Sequence, residues 1–243
     1  AVLSRLPFQD AENVDLPELR DKFSSSEKRL GKKRALLCTL DLGAVAPGQA
    51  PLPVAALHLD SNASPRQRAA QLAAVLDRRP SGPLLCGGDF NLTTYNASSP
   101  WALARDLLHK WFTLGFRGTV NNYMTPRRRY EQPVFETLTA HGMAWEGFND
   151  EARGTYQYDL NSTYAIEKVR EKVGGFLTRA LQRALRPWGG VVPARLDWFA
   201  GRGLTPVAAG VVAPWGPAGA TGEAQGSGAP ASDHAAIYVD LRL

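Results

Sequence analysis

Apolar runs that are typical of β-strands alternate with amphipathic helices along most of this chain. RALLCTLDL (34–42) and PVAALHLD (53–60) predict two strands, and a helix at 63–79 leads to a third strand, PLLCGG (83–88). The order then continues as helix, long polar segment, helix and three strands. This order predicts a mixed α/β fold in which two apolar-faced sheets are flanked by helices.

The helix at 63–79 carries the clearest local signals. Ser64 is the expected N-cap, Pro65 the first helical residue and Gln67 the third position of a capping box. Its apolar positions predict one buried face, formed by Leu72, Val75 and Leu76.

The other predicted elements are helices at 98–116 and 165–186, the second with a break at Gly174–Gly175, and strands at 1–8, 191–200, 205–213 and 234–243. Residues 117–164 are polar, aromatic and irregular and predict no regular element. The charge run SEKRLGKKR (26–34) predicts a solvated end of a hairpin. The Gly/Ala/Pro-rich segment 214–231 predicts a flexible loop.

Composition limits the classes of protein that this chain can represent. Residues 1–243 suit one large domain with an ample core, and we expect a monomer. The net charge of +5 is compatible with nucleic acid or another phosphate-bearing partner but does not establish one. No apolar run approaches the length needed to cross a bilayer.

Four short segments place His, Asp or Asn where a strand meets a loop. They are HLD with His58, GGDFN with Asp89 and Asn91, RLDWF with Asp197, and SDHAA with Asp233 and His234. Functional sites are commonly built at strand ends, because a rigid scaffold there holds an exposed edge. Taken singly, each residue could instead serve a turn or a cap, and for His58 alone a structural role is favoured.

Taken together, GGDFN, R-x-D-W-F and a near-terminal SDH resemble the endonuclease/exonuclease/phosphatase superfamily. HLDSNASPRQRAAQ (58–71) fits the same pattern, and AVLSRLPF is similar to the family strand that precedes it. GTYQY (154–158) resembles a Thr-Tyr turn of the family and is interpreted as structural. The resemblance spans nearly the whole chain. It implies a deoxyribonuclease I-like two-sheet sandwich in which residues 121–190 form a family-variable insertion.

The family pattern also includes an Asn strand and a metal-binding Glu strand ahead of the AVLSRLPF strand. Neither has a counterpart in this sequence, because Glu12, Glu18 and Glu27 all follow that strand. We therefore expect a fold that is incomplete at its N-terminal edge and weakly active as it stands. A natural short homologue that has lost activity is the alternative.

The resemblance also implies chemical roles for the SDH and RLDWF segments. Hydrolysis of a phosphoester needs an activated water, neutralisation of charge on the phosphoryl oxygens and help for the leaving group. His234 would take the proton from water, and Asp197 would hold its tautomer. Asp233 would help to bind Mg²⁺ or Mn²⁺, since hard cations prefer carboxylate oxygens.

The remaining candidates come from the two strand ends nearer the start of the chain. Asp89 would orient the water or assist the leaving oxygen. Asn91 and His58 would donate hydrogen bonds to the phosphoryl group as charge builds on it.

A basic cluster in the polar segment bears on the substrate. Arg127, Arg128 and Arg129 lie beside Tyr123 and Tyr130 and could hold phosphates while the rings stack, although a solvated loop is the alternative. The predicted function is metal-dependent phosphoester hydrolysis, with phosphodiesters favoured. A lipid or inositol phosphate hydrolase and an inactive binding module on the same scaffold remain as alternatives.

Overall fold

The structure is a computed structural model that describes residues 1–17, 33–61, 63–94, 100–127, 130–212 and 232–242. The strands are β1 (Phe8–Asp15), β2 (Arg34–Leu40), β3 (Leu52–His58), β4 (Leu84–Asp89), β5 (Tyr156–Asp159), β6 (Val191–Ala194), β7 (Asp197–Arg202), β8 (Thr205–Val212) and β9 (Ala236–Arg242). The helices are α1 (Pro65–Leu76), α2 (Pro100–Asn122), α3 (Gln132–Ala140) and α4 (Thr163–Ala184), with a 3-10 turn at Arg186–Trp188. The predicted loop at 214–231 lies outside the described residues.

The central sheet has the strand order β1-β2-β3-β4-β7. β3 and β4 are parallel and are connected through α1, whereas the other neighbours are antiparallel. β5–β6 and β8–β9 form two separate antiparallel ribbons. The predicted α/β class is confirmed. Within the described residues, the expected second sheet is represented by these two ribbons.

The main apolar core lies between the central sheet and the helices α1 and α3. Leu72, Val75 and Leu76 of α1 are fully buried, as their spacing predicts. Each buried side chain of this size contributes about 1.5–3 kcal/mol relative to leaving it exposed. The predicted capping box is also present, because Ser64 Oγ accepts from the Gln67 N–H and Gln67 Oε1 accepts from the Ser64 N–H.

Two glycines allow β4 to lie close to both of its neighbours. A Cβ on Gly87 would overlap the ring of Phe199, and one on Gly88 would overlap the carbonyl of Leu57. Gly88 also has a φ of 138°, which residues with a side chain rarely adopt. The GG pair is therefore required for the close approach of β3, β4 and β7 at the strand end that carries Asp89.

The single strand predicted at 191–200 is wrong, since the chain forms two strands in different sheets there. β6 pairs with β5, and β7 pairs with β4. At the change of sheet, the backbone N–H groups of Leu196 and Asp197 both donate to Thr155 Oγ1, at 3.0 and 3.1 Å. An acceptor 41 residues away in sequence thus interrupts what looks locally like one apolar strand.

The strand predicted at residues 1–8 is also wrong, because β1 begins only at Phe8. The Leu6 N–H donates to Ser4 Oγ at 3.0 Å, and such local bonds compete with strand pairing. Pro7 has no N–H to offer a ladder. Leu3, although apolar, is 96% exposed.

The segment 117–164 contains regular structure that its sequence does not predict. α2 continues to Asn122 past a break at Gly115, where φ is 64°. α3 buries Val134, Phe135 and Leu138, a stripe too short to stand out in nine residues. In α4 the predicted break is present at Gly174, where φ is 81°. None of the helices in the described part of the chain combines the length and apolar content needed to cross a membrane.

Candidate functional site

Five ionisable residues lie in one line across the central sheet, at the end where β3 and β4 finish. The register pairs are Asp15–Arg34, His58–Asp89 and Asp89–Asp197. The β2–β3 register, continued by two residues, places Arg34 opposite His58. Directly opposed residues share a face of the sheet, so the topology gathers these charged groups before any loop contributes.

His234 and Asp197 form the contact that the family resemblance implies. His234 Nδ1 lies 2.8 Å from Asp197 Oδ2, and the two side chains are 25% and 14% exposed. The hydrogen bond to Asp197 raises the pKa of His234 above its usual 6.5, and this effect outweighs the burial that would lower it. When Nδ1–H is donated to the carboxylate, Nε2 is the ring nitrogen through which the imidazole can accept a proton.

Asn91 holds the carboxylate of Asp89 in a tight turn. The Asn91 N–H donates to Asp89 Oδ1 at 2.8 Å, and Asn91 Nδ2 donates to Asp89 Oδ2 at 3.0 Å. Nδ2 also donates to the Leu59 carbonyl at 2.8 Å. Asn91 has a φ of 50°, a conformation that Asn tolerates better than most residues. Because its amide group serves protein acceptors, Asn91 would have to give up one of these bonds to donate to a phosphoryl oxygen.

Asp89 occupies an environment that disfavours its charged form. Burial, and after it the negative charge of Asp197 on the neighbouring strand, raise the pKa of Asp89 from 3.8 to about 6. The Asn91 N–H, His234 and Lys33 only partly offset these effects. A carboxyl group that titrates near neutral pH can serve as either an acid or a base.

His58 and Lys33 border Asp89 on the side of β2 and β3. His58 Nε2 lies 3.5 Å from Asp89 Oδ2, and the imidazole is 60% exposed. Lys33 Nζ lies 3.3 Å from the carbonyl oxygen of Leu59, the same acceptor that Asn91 uses. Sequence reasoning missed Lys33, because it treats the basic run as a solvated hairpin end. The pairing of β2 with β3 is the signal that would have located it.

Thr155 and Tyr156 contact the segments that carry Asp197 and His234. Thr155 is fully buried, and its Oγ1 accepts from the Asp197 N–H while its carbonyl accepts from the Ala235 N–H at 2.8 Å. The Tyr156 ring lies 5.1 Å from the His234 ring, between centroids. Thr155 and Tyr156 have the predicted structural role, although Tyr156 begins β5 and does not lie in a turn, and they contact both members of this pair.

Arg127 is the one predicted phosphate-binding arginine that lies within the described residues. Its Nη1 is 2.8 Å from Glu151 Oε1, and its side chain is 35% exposed. Its charge is therefore partly neutralised by a neighbouring carboxylate. Arg128 and Arg129 lie outside the described residues, and substrate binding by this loop stays a prediction.

Asp89, Asp197 and Asp233 supply carboxylates of the kind that a hard divalent cation prefers. Asp233 is exposed beside His234, while Asp89 and Asp197 face each other across β4 and β7. Mg²⁺ is usually held by one or two carboxylates, with water and substrate phosphate completing its shell. Within the described ranges, no cluster of three or more His, Cys, Asp or Glu is arranged to hold a metal ion. The carboxylate oxygens of these three residues are therefore of a type that could supply part of the ligand shell of Mg²⁺.

No protein-family model matches the chain, and no curated protein matches it at a significant level. Solved structures do match over nearly its whole length. An endonuclease/exonuclease/phosphatase from Beutenbergia cavernae aligns with a TM-score of 0.52 and 17% identity, covering 99% of this chain and 46% of that one. This chain has the endonuclease/exonuclease/phosphatase fold.

Two further structures with lower TM-scores are similar to this chain. TDP2 from D. rerio, complexed with a single-strand DNA product, aligns at a TM-score of 0.49 and 15% identity, covering 98% of this chain and 69% of that one. A mannosyl-6-phosphatase from Bacteroides thetaiotaomicron aligns at a TM-score of 0.48 and 14% identity, covering 97% of this chain and 67% of that one. The chain thus spans less than half of the Beutenbergia structure and about two thirds of the other two.

Proposed function

We propose that this chain carries the catalytic residues of a divalent-metal-dependent phosphoester hydrolase, with phosphodiesters as the favoured substrates. The observation that carries the proposal is the 2.8 Å contact between His234 Nδ1 and Asp197 Oδ2, next to Asp89 at the strand ends of this fold. An oriented imidazole beside a carboxyl group that titrates near neutrality suits the two proton transfers of phosphoester hydrolysis.

In the proposed reaction, His234 Nε2 accepts a proton from the attacking water. Asp197 accepts the Nδ1–H, which keeps the imidazole in one tautomer and stabilises the imidazolium that forms. Thr155 fixes the start of β7, so the Asp197 carboxylate is presented from a rigid backbone. The raised pKa of His234 makes it a stronger base than an isolated histidine, but it is neutral only at higher pH.

Asp89 stands across the β4–β7 pair from Asp197, and we assign it to the water or to the leaving oxygen. Its pKa of about 6 lets it exchange a proton close to neutral pH. Asn91 positions the Asp89 carboxylate through two hydrogen bonds. We assign His58, which is exposed beside Asp89, as a donor to a phosphoryl oxygen.

Bound Mg²⁺ or Mn²⁺ would supply positive charge against the phosphoryl oxygens, with Asp233 as the proposed ligand. The net charge of +5 favours an anionic, phosphate-rich ligand such as nucleic acid over a neutral one.

The test is hydrolysis of bis(p-nitrophenyl) phosphate by the longest natural polypeptide that contains this sequence, with Mg²⁺ or Mn²⁺ added. His234→Ala should lower kcat by about 100- to 10,000-fold, because it removes the general base. His109→Ala, which removes an exposed histidine of α2, is the matched control and should leave kcat unchanged. Equal rates for His234→Ala and the parent protein, or activity that survives EDTA, would contradict the proposal.

A further inference from the structure

The first half of α2 presents large apolar side chains to solvent. Trp101 is 86% exposed, Leu108 58%, Trp111 56% and Phe112 83%. Trp101, Leu108 and Phe112 are spaced as one stripe of a helix, and Trp111 lies beside that stripe. We call these four residues the aromatic face. Side chains of this size are normally buried, and a contiguous exposed set marks an interaction surface.

The opposite side of α2 is charged and buried. Asp106 and Lys110 are 6% and 1% exposed, and Lys110 Nζ lies 2.8 Å from Asp106 Oδ2. Lys110 also donates to the Thr94 carbonyl and lies 3.8 Å from the centre of the Tyr130 ring. Turning the helix so that its rings faced inward would move Lys110 into water and leave the Thr94 carbonyl buried without this donor. The contacts of Lys110 in the interior therefore favour the outward direction of the aromatic face.

The exposed charges of α2 are all basic. Arg105 lies on the aromatic face between Trp101 and Leu108, and Arg117 is exposed further along the helix. Asp106, the only acidic residue of α2, is the buried one. The aromatic face thus combines rings with positive charge, and α2 offers no exposed carboxylate beside them.

α4 also carries an exposed ring. α2 and α4 contribute to one apolar cluster, through Phe116 and Leu181. Phe176 of α4, which follows the break at Gly174, is 85% exposed. Unlike α2, α4 exposes charges of both signs.

We propose that the aromatic face of α2 docks on an anionic lipid surface. Trp and Phe side chains insert at the boundary between headgroups and acyl chains, while arginines extend to the lipid phosphates. A second copy of this chain fits less well, because a two-fold contact would bring the two Arg105 residues together. Single-stranded nucleic acid could stack on the rings but would leave Leu108 without an apolar partner.

This inference goes beyond the proposed hydrolase function and does not depend on it. None of the residues of the aromatic face belongs to the candidate catalytic site. A variant can therefore lose vesicle binding and keep hydrolysis, or lose hydrolysis and keep vesicle binding.

The first experiment is co-sedimentation with vesicles made from equal parts of phosphatidylcholine and phosphatidylserine. The parent protein should bind, and Trp101→Ser/Phe112→Ser should lower its affinity by more than about tenfold, because two apolar anchors are lost. Leu3→Ser/Val207→Ser, which removes two exposed apolar residues elsewhere, is the matched control and should bind like the parent. Circular dichroism should show that all three proteins are equally folded.

The second experiment tests the electrostatic part of the surface. Arg105→Glu should lower affinity for the mixed vesicles by on the order of tenfold, with little effect on pure phosphatidylcholine vesicles, whereas Arg105→Lys should retain binding. The proposal is wrong if the parent protein does not bind the mixed vesicles or if both double variants bind equally well. It is also wrong if Trp101→Ser/Phe112→Ser only converts a dimer to a monomer, or only weakens binding of single-stranded DNA.

Discussion

α1 and α2 are both amphipathic, but they face the interior with opposite sides. α1 buries Leu72 and Leu76 against the central sheet, as an apolar stripe is expected to do. α2 buries the Asp106–Lys110 ion pair and exposes Trp101 and Phe112. An amphipathic pattern therefore shows which residues lie on the same side of a helix, but the partners available in the interior decide which side is buried.

The two helices nevertheless contribute to the same buried network, which is centred on Glu131 at the start of α3. Arg68 of α1 binds both oxygens of the Glu131 carboxylate, and Glu131 Oε1 also accepts from the Thr94 N–H at 3.1 Å. Thr94 in turn accepts from Lys110 of α2 through its carbonyl. Burial raises the pKa of Glu131, and Arg68 opposes that shift as the nearest positive charge. The network connects α1, α3 and α2 behind the turn that carries Asn91.

Breaking the Arg68–Glu131 pair should have the largest effect on stability. Arg68→Ala should lower the free energy of unfolding by about 3–5 kcal/mol, because it leaves the Glu131 carboxylate buried without its main partner. Urea unfolding followed by circular dichroism measures this change. Arg66→Ala, at an exposed position of the same helix, should have almost no effect. A loss below about 1 kcal/mol for Arg68→Ala would show that the network contributes little.

The ion pair of α2 should give a somewhat smaller effect that can be reversed. Lys110→Met should lower the free energy of unfolding by about 3 kcal/mol, since Asp106 is then buried as an unpaired charge. The double variant Asp106→Leu/Lys110→Met should recover to within about 1 kcal/mol of the parent, because both charges are gone. If the ion pair sets the rotation of α2, the double variant should also show blue-shifted Trp fluorescence. Unchanged emission would show that the ion pair affects stability without setting the orientation of α2.

Asp89 is a buried charge with weaker pairing, so its removal should stabilise the protein. Its pKa of about 6 lies above the ordinary 3.8, so the folded state binds the proton more tightly, and stability falls as pH rises from about 4 to about 6. This pKa shift corresponds to a loss of about 3 kcal/mol in the free energy of unfolding. Asp89→Asn should recover only about 1–2 kcal/mol of that loss, because an amide cannot accept hydrogen bonds from Asn91 through both of its terminal atoms. The gain should appear in urea unfolding at pH 8 and vanish at pH 4. A destabilised Asp89→Asn at pH 8 would contradict this assignment.

The smallest expected effect is on the titration of His234. Asp197→Asn should lower the pKa of His234, because the neutral amide no longer stabilises the imidazolium. The rising limb of kcat/KM with pH should then move to lower pH, while the maximum rate decreases. NMR titration of the histidine ring protons measures the shift directly. His141, whose pKa is raised by Asp77, is an internal control that should not move.

Local sequence signals determined those parts of this protein whose partners are close in the chain. Ser64 and Gln67 form the predicted capping box because both residues belong to the same helix turn. Gly174 breaks α4 because its own backbone adopts a positive φ. The order of strands and helices also fixed the α/β class. The Asp197–His234 contact was predictable only through the resemblance of their segments to a known family.

Tertiary structure decided the features whose partners are distant in the chain. The separation of β6 from β7 depends on Thr155, and the position of Lys33 near Asp89 depends on the pairing of β2 with β3. The outward direction of Trp101 depends on what Lys110 meets in the interior. Periodicity in a sequence records which residues share a side of an element. It does not record the hydrogen-bond acceptor or carboxylate that a buried donor or charge requires, because those groups come from segments that only folding brings together.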